Sequence, residues 1–316
     1  MLVRIVKNWT NPDILRQTPE HSGIWEGIEF TEKKVKECDL LVVLNAPNYP
    51  LTIKCREKWL LSQESPIDYY EWHKRSFEYF DKVFSFWNDP HILHDQTSLP
   101  WHINKSFDEL NLLTEKDLGS KKNEVSWVTS NYNNKPGHQL RMQLLSILKE
   151  QNFKFDLFGK GFNPIDDKFE GIFPYKYSIA IENYSCNDYW TEKIADCFLS
   201  WTMPVYYGCS NITKYFPEEA MVLIDPAKPD EAMAIITKAM AEGRWEKNIL
   251  AIKEARELVM NEYQFFPSIA KKIKAYQSKM HSKKWYHVPE NLQEQEPNPR
   301  KIKFETLKAK LKNLYA

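Results

Sequence analysis

Twice in succession the second half of the chain passes from a short apolar stretch into a polar loop of ligand-binding size, and then into a segment of helical periodicity. That repeat constrains the fold more than any other feature. Residues 125–129 read as a strand, 130–137 as a loop with a Pro-Gly turn, and 138–150 as a helix whose Leu140, Leu144, Ile147 and Leu148 share one face. Residues 177–181 read as a second strand, 182–188 as its loop, and 189–200 as a helix that Asn187 or Asp188 is placed to cap. Strands at 204–207 and 221–224 and a helix over 229–241, opening Pro-Asp-Glu as the helix dipole favours, continue the alternation. Such alternation predicts a parallel sheet covered by helices. Ligands of these sheets sit beyond the carboxyl ends of the strands, where the two polar loops lie.

The first half carries apolar runs at 2–6, 40–44, 59–61 and 83–86, separated by polar stretches, and reads as a second α/β unit. With 316 residues the chain has room for two such domains and a cleft between them. The polar segment 113–123 sets the expected boundary, giving domains at 1–124 and 125–276 and a tail at 277–316. Lysine plus arginine and aspartate plus glutamate both number 43, so no global charge draws the chain to nucleic acid. The five cysteines are odd in number and contain no Cys-x-x-Cys pair, which argues against a disulfide framework or a thiolate zinc site and for a reducing cytoplasm. No stretch approaches the ~20 apolar residues of a membrane span. In the tail, Leu307, Leu311 and Leu314 recur at helical spacing beside Lys308, Lys310 and Lys312. That pattern makes a basic amphipathic helix, suited either to packing at the terminus or to peripheral contact with the cytoplasmic face of an anionic membrane.

The most informative residues are Tyr175-Lys176-Tyr177-Ser178-Ile179-Ala180-Ile181-Glu182-Asn183, then Tyr189-Trp190-Thr191-Glu192-Lys193, then Pro204-Val205-Tyr206-Tyr207-Gly208. In order and spacing they resemble the donor-binding signature of the bacterial-type α1,3/α1,4-fucosyltransferases: an aromatic-Lys-aromatic strand ending in Glu-Asn, a Tyr-x-Thr-Glu-Lys, and a Pro-Val-aromatic-x-Gly turn. The resemblance runs from about residue 125 to about 266 and thins over the first half. Independently of it, a departing nucleoside diphosphate gathers negative charge that must meet a metal or fixed cations and helix N-termini. No Asp-x-Asp occurs in the chain, and Asp166, Asp167 and Glu170 sit in what reads as a solvated turn. Arg141 and Lys193, each near the start of a helix that follows a strand, are left as the cations.

What the resemblance implies is an α/β chain of GT-B architecture, two Rossmann-like domains facing across a cleft with a C-terminal helical tail. It implies inverting transfer of L-fucose from GDP-fucose to an N-acetylglucosamine- or glucose-containing oligosaccharide or glycolipid, of the lipopolysaccharide O-antigen kind, with no cofactor and no divalent metal. By resemblance Arg141 and Lys193 contact the diphosphate, Glu192 the ribose, Tyr189 the guanine, and Asn183 the fucose or diphosphate. Glu182 supports the site electrostatically, provided that Lys176 or Lys193 neutralises it. A single displacement also needs a base for the attacking hydroxyl. Glu64, in Ser62-Gln63-Glu64-Ser65-Pro66 after an apolar strand, matches the family's Glu-Ser-Pro; some bacterial relatives carry a further Glu at the position of Ser62. Glu26 and Glu29 are the reserve carboxylates, and Trp25, Trp59, Tyr69, Tyr70 and Trp72 offer either a sugar-stacking platform or ordinary core. Two other readings are a GT-B transferase for another nucleotide sugar and a non-catalytic GDP- or glycan-binding module.

Overall fold

The structure, a computed structural model, describes residues 1–10, 12–90 and 92–292. The basic helix expected around residues 307–314 therefore lies outside the described residues. The first sheet is built from β1 (Leu2–Lys7), β2 (Ile24–Trp25), β3 (Ile28–Thr31), β4 (Leu40–Leu44), β6 (Glu57–Leu61), β7 (Lys82–Ser85) and β8 (Ile92–His94), while β5 (Leu51–Cys55) stands outside it. Its order is β2-β3-β1-β4-β6-β7-β8, parallel throughout except for the short β2.

The second half begins with α1 (Phe107–Leu112) and continues as β9 (Lys122–Val128), α2 (Pro136–Glu150), β10 (Asp156–Phe158), α3 (Lys168–Ile172), β11 (Tyr175–Ile181), α4 (Glu192–Leu199), β12 (Met203–Tyr207) and β13 (Val222–Leu223). Then come α5 (Pro229–Ala241), α6 (Arg244–Lys247), α7 (Ile249–Leu258), α8 (Phe265–Tyr276) and a last strand, β14 (Lys284–Val288). The second sheet, β10-β9-β11-β12-β13, is parallel in every pairing, as the strand–loop–helix repeat predicts.

The two cores exchange chain segments. Trp101, Ile103, Leu110 and Leu118 pack into the second core, so the expected boundary at 124 moves back to the loop after β8. At the other end, Phe265, Phe266, Ile269, Ala270 and Ile273 of α8 pack on Val3, Ile5, Leu40, Val42 and Leu44 of the first sheet, so the second domain stops short of 276. The physical reason lies in β4. All five of its side chains are buried, Leu40, Val42 and Leu44 toward α8 and Leu41 and Val43 toward the opposite side. That opposite face is covered by β5 paired antiparallel to β14, with Leu51, Ile53, Cys55 and Val288 turned inward. Among the described residues no α-helix lies between β1 and β8, only 3₁₀ segments of which the longest is Asp68–Tyr79, and the α-helical cover expected of this half arrives instead from the far end of the chain. No helix of the described residues is long and apolar enough to cross a membrane.

Candidate active site

In the second sheet β9 has β10 on one side and β11 on the other, so successive connections leave in opposite directions between β9 and β11. A crevice opens at that switch point beyond the strand ends, the place where doubly wound sheets take ligands. The helix after β9 supplies Arg141 and the helix after β11 supplies Glu192 and Lys193. On α2 the buried stripe is His138, Arg141, Leu144, Leu145 and Leu148, whereas Leu140 and Ile147 of the expected apolar face are only half-buried. Spacing of three and four places Arg141 on the inward face, so it is not an ordinary surface cation. α4 begins at Glu192, three residues later than expected, and Thr191 is its N-cap; neither Asn187 nor Asp188 plays that part. Asp188 is committed elsewhere, accepting from Asn211 Nδ2 at 2.9 Å, Lys214 Nζ at 3.1 Å and the Tyr215 hydroxyl at 2.5 Å.

Two glycines hold these loops together. A Cβ on Gly137, in the first turn of α2, would stand 1.9 Å from the Asn183 carbonyl oxygen, and one on Gly208, after β12, would stand 2.3 Å from Cγ of Glu182. Only glycine permits either approach. The result is a cavity of about 300 Å³ whose polar lining includes Thr129, Ser130, Arg141, Lys168, Glu192 and Lys193.

Glu182 is 0% exposed and accepts from the Thr191 backbone N–H at 2.8 Å, the Thr191 hydroxyl at 2.7 Å and Lys193 Nζ at 3.1 Å. The carboxylate that needed a neutralising partner thus has Lys193, while Lys176 turns away to pair with Glu246. Lys193 also donates to Thr191 Oγ1 at 2.9 Å and to Glu192 Oε1 at 3.3 Å. Burial works against the charge on Lys193, but the Glu182 and Glu192 carboxylates overcome it and push the ammonium above the usual lysine range. Burial opposes charge on Glu192 too, yet Lys193, His102 and Lys168 hold its carboxyl well below the ordinary value. Lys168 completes the cluster, 3.7 Å from Glu192 and 3.2 Å from Asp196. Arg141 differs: it is 6% exposed, and its Nε is buried without a hydrogen-bond partner. Thr129 Oγ1 and Asn183 Oδ1 are likewise buried and unpartnered. Buried polar atoms are rarely left so, and three around one strand-end crevice mark a surface made for a polar ligand.

On the opposite wall Glu64 follows β6. The strand end is fixed by Gln63, whose backbone N–H donates to Asn45 Oδ1 at 2.8 Å and whose Nε2 donates to the Thr97 carbonyl at 2.9 Å. Ser62, where some bacterial relatives carry Glu, is buried with its hydroxyl 3.1 Å from His73 Nδ1. Burial pushes the His73 imidazole down to about 4, so this pair is neutral. Burial raises the Glu64 carboxyl above its usual range, although a Tyr70 hydrogen bond and the charges of Lys135 and Lys193 pull the other way. The side chain is near enough to feel Lys193 and Glu192 across the cleft, and Arg141 in turn feels Glu182 and Glu192; of these residues Arg141, Glu192 and Lys193 line the cavity itself.

Tyr189 is the exception among the sequence candidates. It is 3% exposed, its ring 5.0 Å from Phe86 in an edge-to-face contact and its hydroxyl against Ser65, so it fills the joint between the domains and leaves no open face for a nucleobase. The reserve carboxylates stand apart: Glu26 pairs with Lys274 at 2.6 Å and Glu29 is an exposed residue of β3. Asp167 is spent as the cap of α3, accepting from Phe169 N at 2.9 Å and from Asn104 N at 2.8 Å. Trp59 is wholly buried core. Sequence reasoning missed Lys168, Thr191 and His138. Burial, with Arg141, Lys135 and Lys193 nearby, pushes the His138 imidazole down to about 4, and its Nδ1 lies 2.8 Å from Asn134 Oδ1. The signal for it was available, because His138 precedes Arg141 by three on the same helical face.

Comparison with known proteins agrees on the region. Residues 118–244 match the model of Glycosyltransferase family 10 (fucosyltransferase) C-term. A 4-galactosyl-N-acetylglucosaminide 3-alpha-L-fucosyltransferase of Pongo pygmaeus is 27% identical over 186 residues, which is 56% of this chain and 48% of that protein. The chain spans about half the length of the curated fucosyltransferases of this kind that it matches. Among solved structures, an alpha1,3-fucosyltransferase with GDP aligns over 83% of this chain and 92% of its own at TM-score 0.47 and 18% identity. An alpha-glucosyltransferase in complex with UDP and DNA aligns over 88% of this chain and 99% of its own, at TM-score 0.52 and 8% identity. The latter likeness is one of fold, and it accords with two Rossmann-like domains in the GT-B arrangement. The sheet that carries Arg141, Glu182 and Lys193 thus lies within the residues that resemble the C-terminal domain of glycosyltransferase family 10 (fucosyltransferase).

Proposed function

We propose that the chain is an inverting glycosyltransferase that moves L-fucose from GDP-fucose to a hydroxyl of an N-acetylglucosamine- or glucose-containing glycan, without a divalent metal. The observation that carries the proposal is the buried, unpartnered Nε of Arg141 beside the Lys193–Glu182–Glu192 cluster at the switch point of the second sheet. Arg141 offers a planar fork with free donors, and Lys193 a point charge that buried carboxylates keep ionised. Lys193 has three donors, already matched by Glu182, Thr191 and Glu192, so a phosphate oxygen displaces one of them. Glu182 is fixed by Thr191 and cannot leave. Glu192 is the one to turn away, toward ribose hydroxyls that suit a carboxylate acceptor. The guanine then lies elsewhere than against Tyr189 unless the domains part.

For the transfer itself, Glu64 accepts the proton of the attacking hydroxyl as the bond from fucose to the diphosphate oxygen breaks. Its raised proton affinity suits a base that works near neutral pH. Cations held in place act on the leaving charge without reorganising, which is the role a metal plays elsewhere. Support comes from the family match over residues 118–244 and from the names of the relatives, which describe fucosyl transfer to N-acetylglucosaminides. The test is a donor panel of GDP-fucose, GDP-mannose and UDP-sugars, with and without exhaustive chelation. Transfer from GDP-fucose that survives chelation is expected. Turnover of a UDP-sugar alone, or a loss of transfer restored only by added metal, refutes the corresponding part.

A further inference from the structure

Tyr70 and Lys135 join the two walls. Lys135, the N-cap of α2 in the second domain, donates from Nζ to the Tyr70 hydroxyl in the first. Its ammonium also lies 4.0 Å and 4.2 Å from the ring centroids of Tyr69 and Tyr70, which meet edge-to-face at 5.0 Å. A phenol that accepts from an ammonium has its own proton left to give. The Glu64 carboxyl lies within reach of that proton, and the Tyr70 hydroxyl favours its ionised form. The support beneath Tyr70 is firm: His73, three residues on, is bonded to Ser62, and Asn291 Nδ2 donates to the Trp72 carbonyl at 3.0 Å. On the other side Lys135 immediately precedes the turn in which Gly137 lies against Asn183, and it is six residues from Arg141.

We propose that Tyr70 and Lys135 are positioning residues that fix the Glu64 carboxylate across the cleft, so that the base is aligned only when the donor-side loop before α2 is in place. The inference rests on the reading of Glu64 as the base. The groups that face Glu64 are Tyr70 from its own domain and Lys135, Lys193, Glu192 and Tyr189 from the other. Of these, Tyr70 stabilises the ionised form from the acceptor side, and Lys135 and Lys193 do so from the donor side. Loss of the Tyr70 hydroxyl or of the Lys135 charge therefore raises the pKa of Glu64 further. The acidic limb of the rate profile must then move to higher pH.

The experiment compares the intact chain with Y70F, K135A, K135R and the Y70F/K135A double variant, using GDP-fucose and an N-acetylglucosamine-containing trisaccharide. Turnover is followed across pH, and GDP affinity is measured by calorimetry. Y70F and K135A should each lower kcat about tenfold, as weakening general base catalysis does, and shift the acidic limb upward, with GDP affinity within about twofold of wild type. K135R should restore the limb, and the double variant should be no worse than the worse single one, because both substitutions break one link. Should K135A fail to fold, K135M keeps the stem over the two rings and removes only the charge. An unmoved acidic limb in both single variants, or effects on kcat that multiply in the double, overturns the proposal. E64Q, run alongside, separates the two levels: near-normal transfer by E64Q refutes the base itself, whereas an inactive E64Q with unmoved limbs refutes only the Tyr70–Lys135 link.

Discussion

At the carboxyl ends of β9 and β11, Arg141, Lys168 and Lys193 interleave with Glu182, Glu192 and Asp196, while at the end of β6 a single ionisable carboxyl, Glu64, stands among the neutral Ser62, Gln63 and His73. Both regions are strand ends of parallel sheets, so backbone geometry does not account for the contrast. Each end instead matches the charge of what it would meet. A leaving diphosphate calls for fixed cations, and burying those cations calls for carboxylates to hold them. An attacking hydroxyl is neutral and calls for one proton acceptor of raised affinity. A densely compensated wall and a sparsely charged one respond differently to substitution.

The contrast is broken most severely by E64Q, which should cut transfer by about 10²–10⁴-fold, the span of general base catalysis, while GDP affinity stays near wild type; calorimetry and a transfer assay on one preparation check both. On the other wall, K193A leaves Glu182 and Glu192 facing each other without their shared cation. Removing one partner of a buried ion pair costs about 3–5 kcal/mol, so thermal unfolding should show a large loss of stability as well as of activity. R141A sharpens the comparison because Nε of Arg141 has no protein partner. It should weaken GDP binding by about 1.5–3 kcal/mol, the worth of charge-assisted hydrogen bonds, yet leave the melting temperature close to wild type. Equal destabilisation by the two substitutions would show that both cations serve the fold. The smallest effect belongs to His138, whose pKa lies at about 4; a histidine titration followed by NMR should show it neutral throughout the neutral range, and protonation near the ordinary value would count against the cationic surroundings assigned to it.

The second sheet was legible in the sequence because its signal is local: each strand, loop and helix is contiguous, and Glu182, Glu192 and Lys193 lie within twelve residues. Arg141 and Lys193 needed only the spacing of their helices to be placed. Other features were out of reach for the opposite reason. That Lys193 rather than Lys176 neutralises Glu182 depends on which way two strand-end side chains turn, and that Tyr189 fills the domain joint depends on Phe86, a hundred residues earlier. The start of α4 was misplaced because Asp188, a good cap by type, is held at φ 63° by partners from the 211–215 segment, and Thr191 caps in its stead. The boundaries at 124 and 276 followed composition, which says nothing about segments that leave one core to finish the other.

That exchange bears on how the chain is made. The first sheet has one face closed by α8 and the other by the β5–β14 ribbon, so its two lids reside near residues 270 and 286. During synthesis the strands of the first sheet leave the ribosome long before either lid exists, with the apolar sides of β4 exposed to solvent or to a chaperone. The buried residues of the second core end at Met260, whereas the unit translated first is completed only when translation has passed residue 288. A nascent chain halted before that point would hold every buried residue of the second core and an unfinished first one.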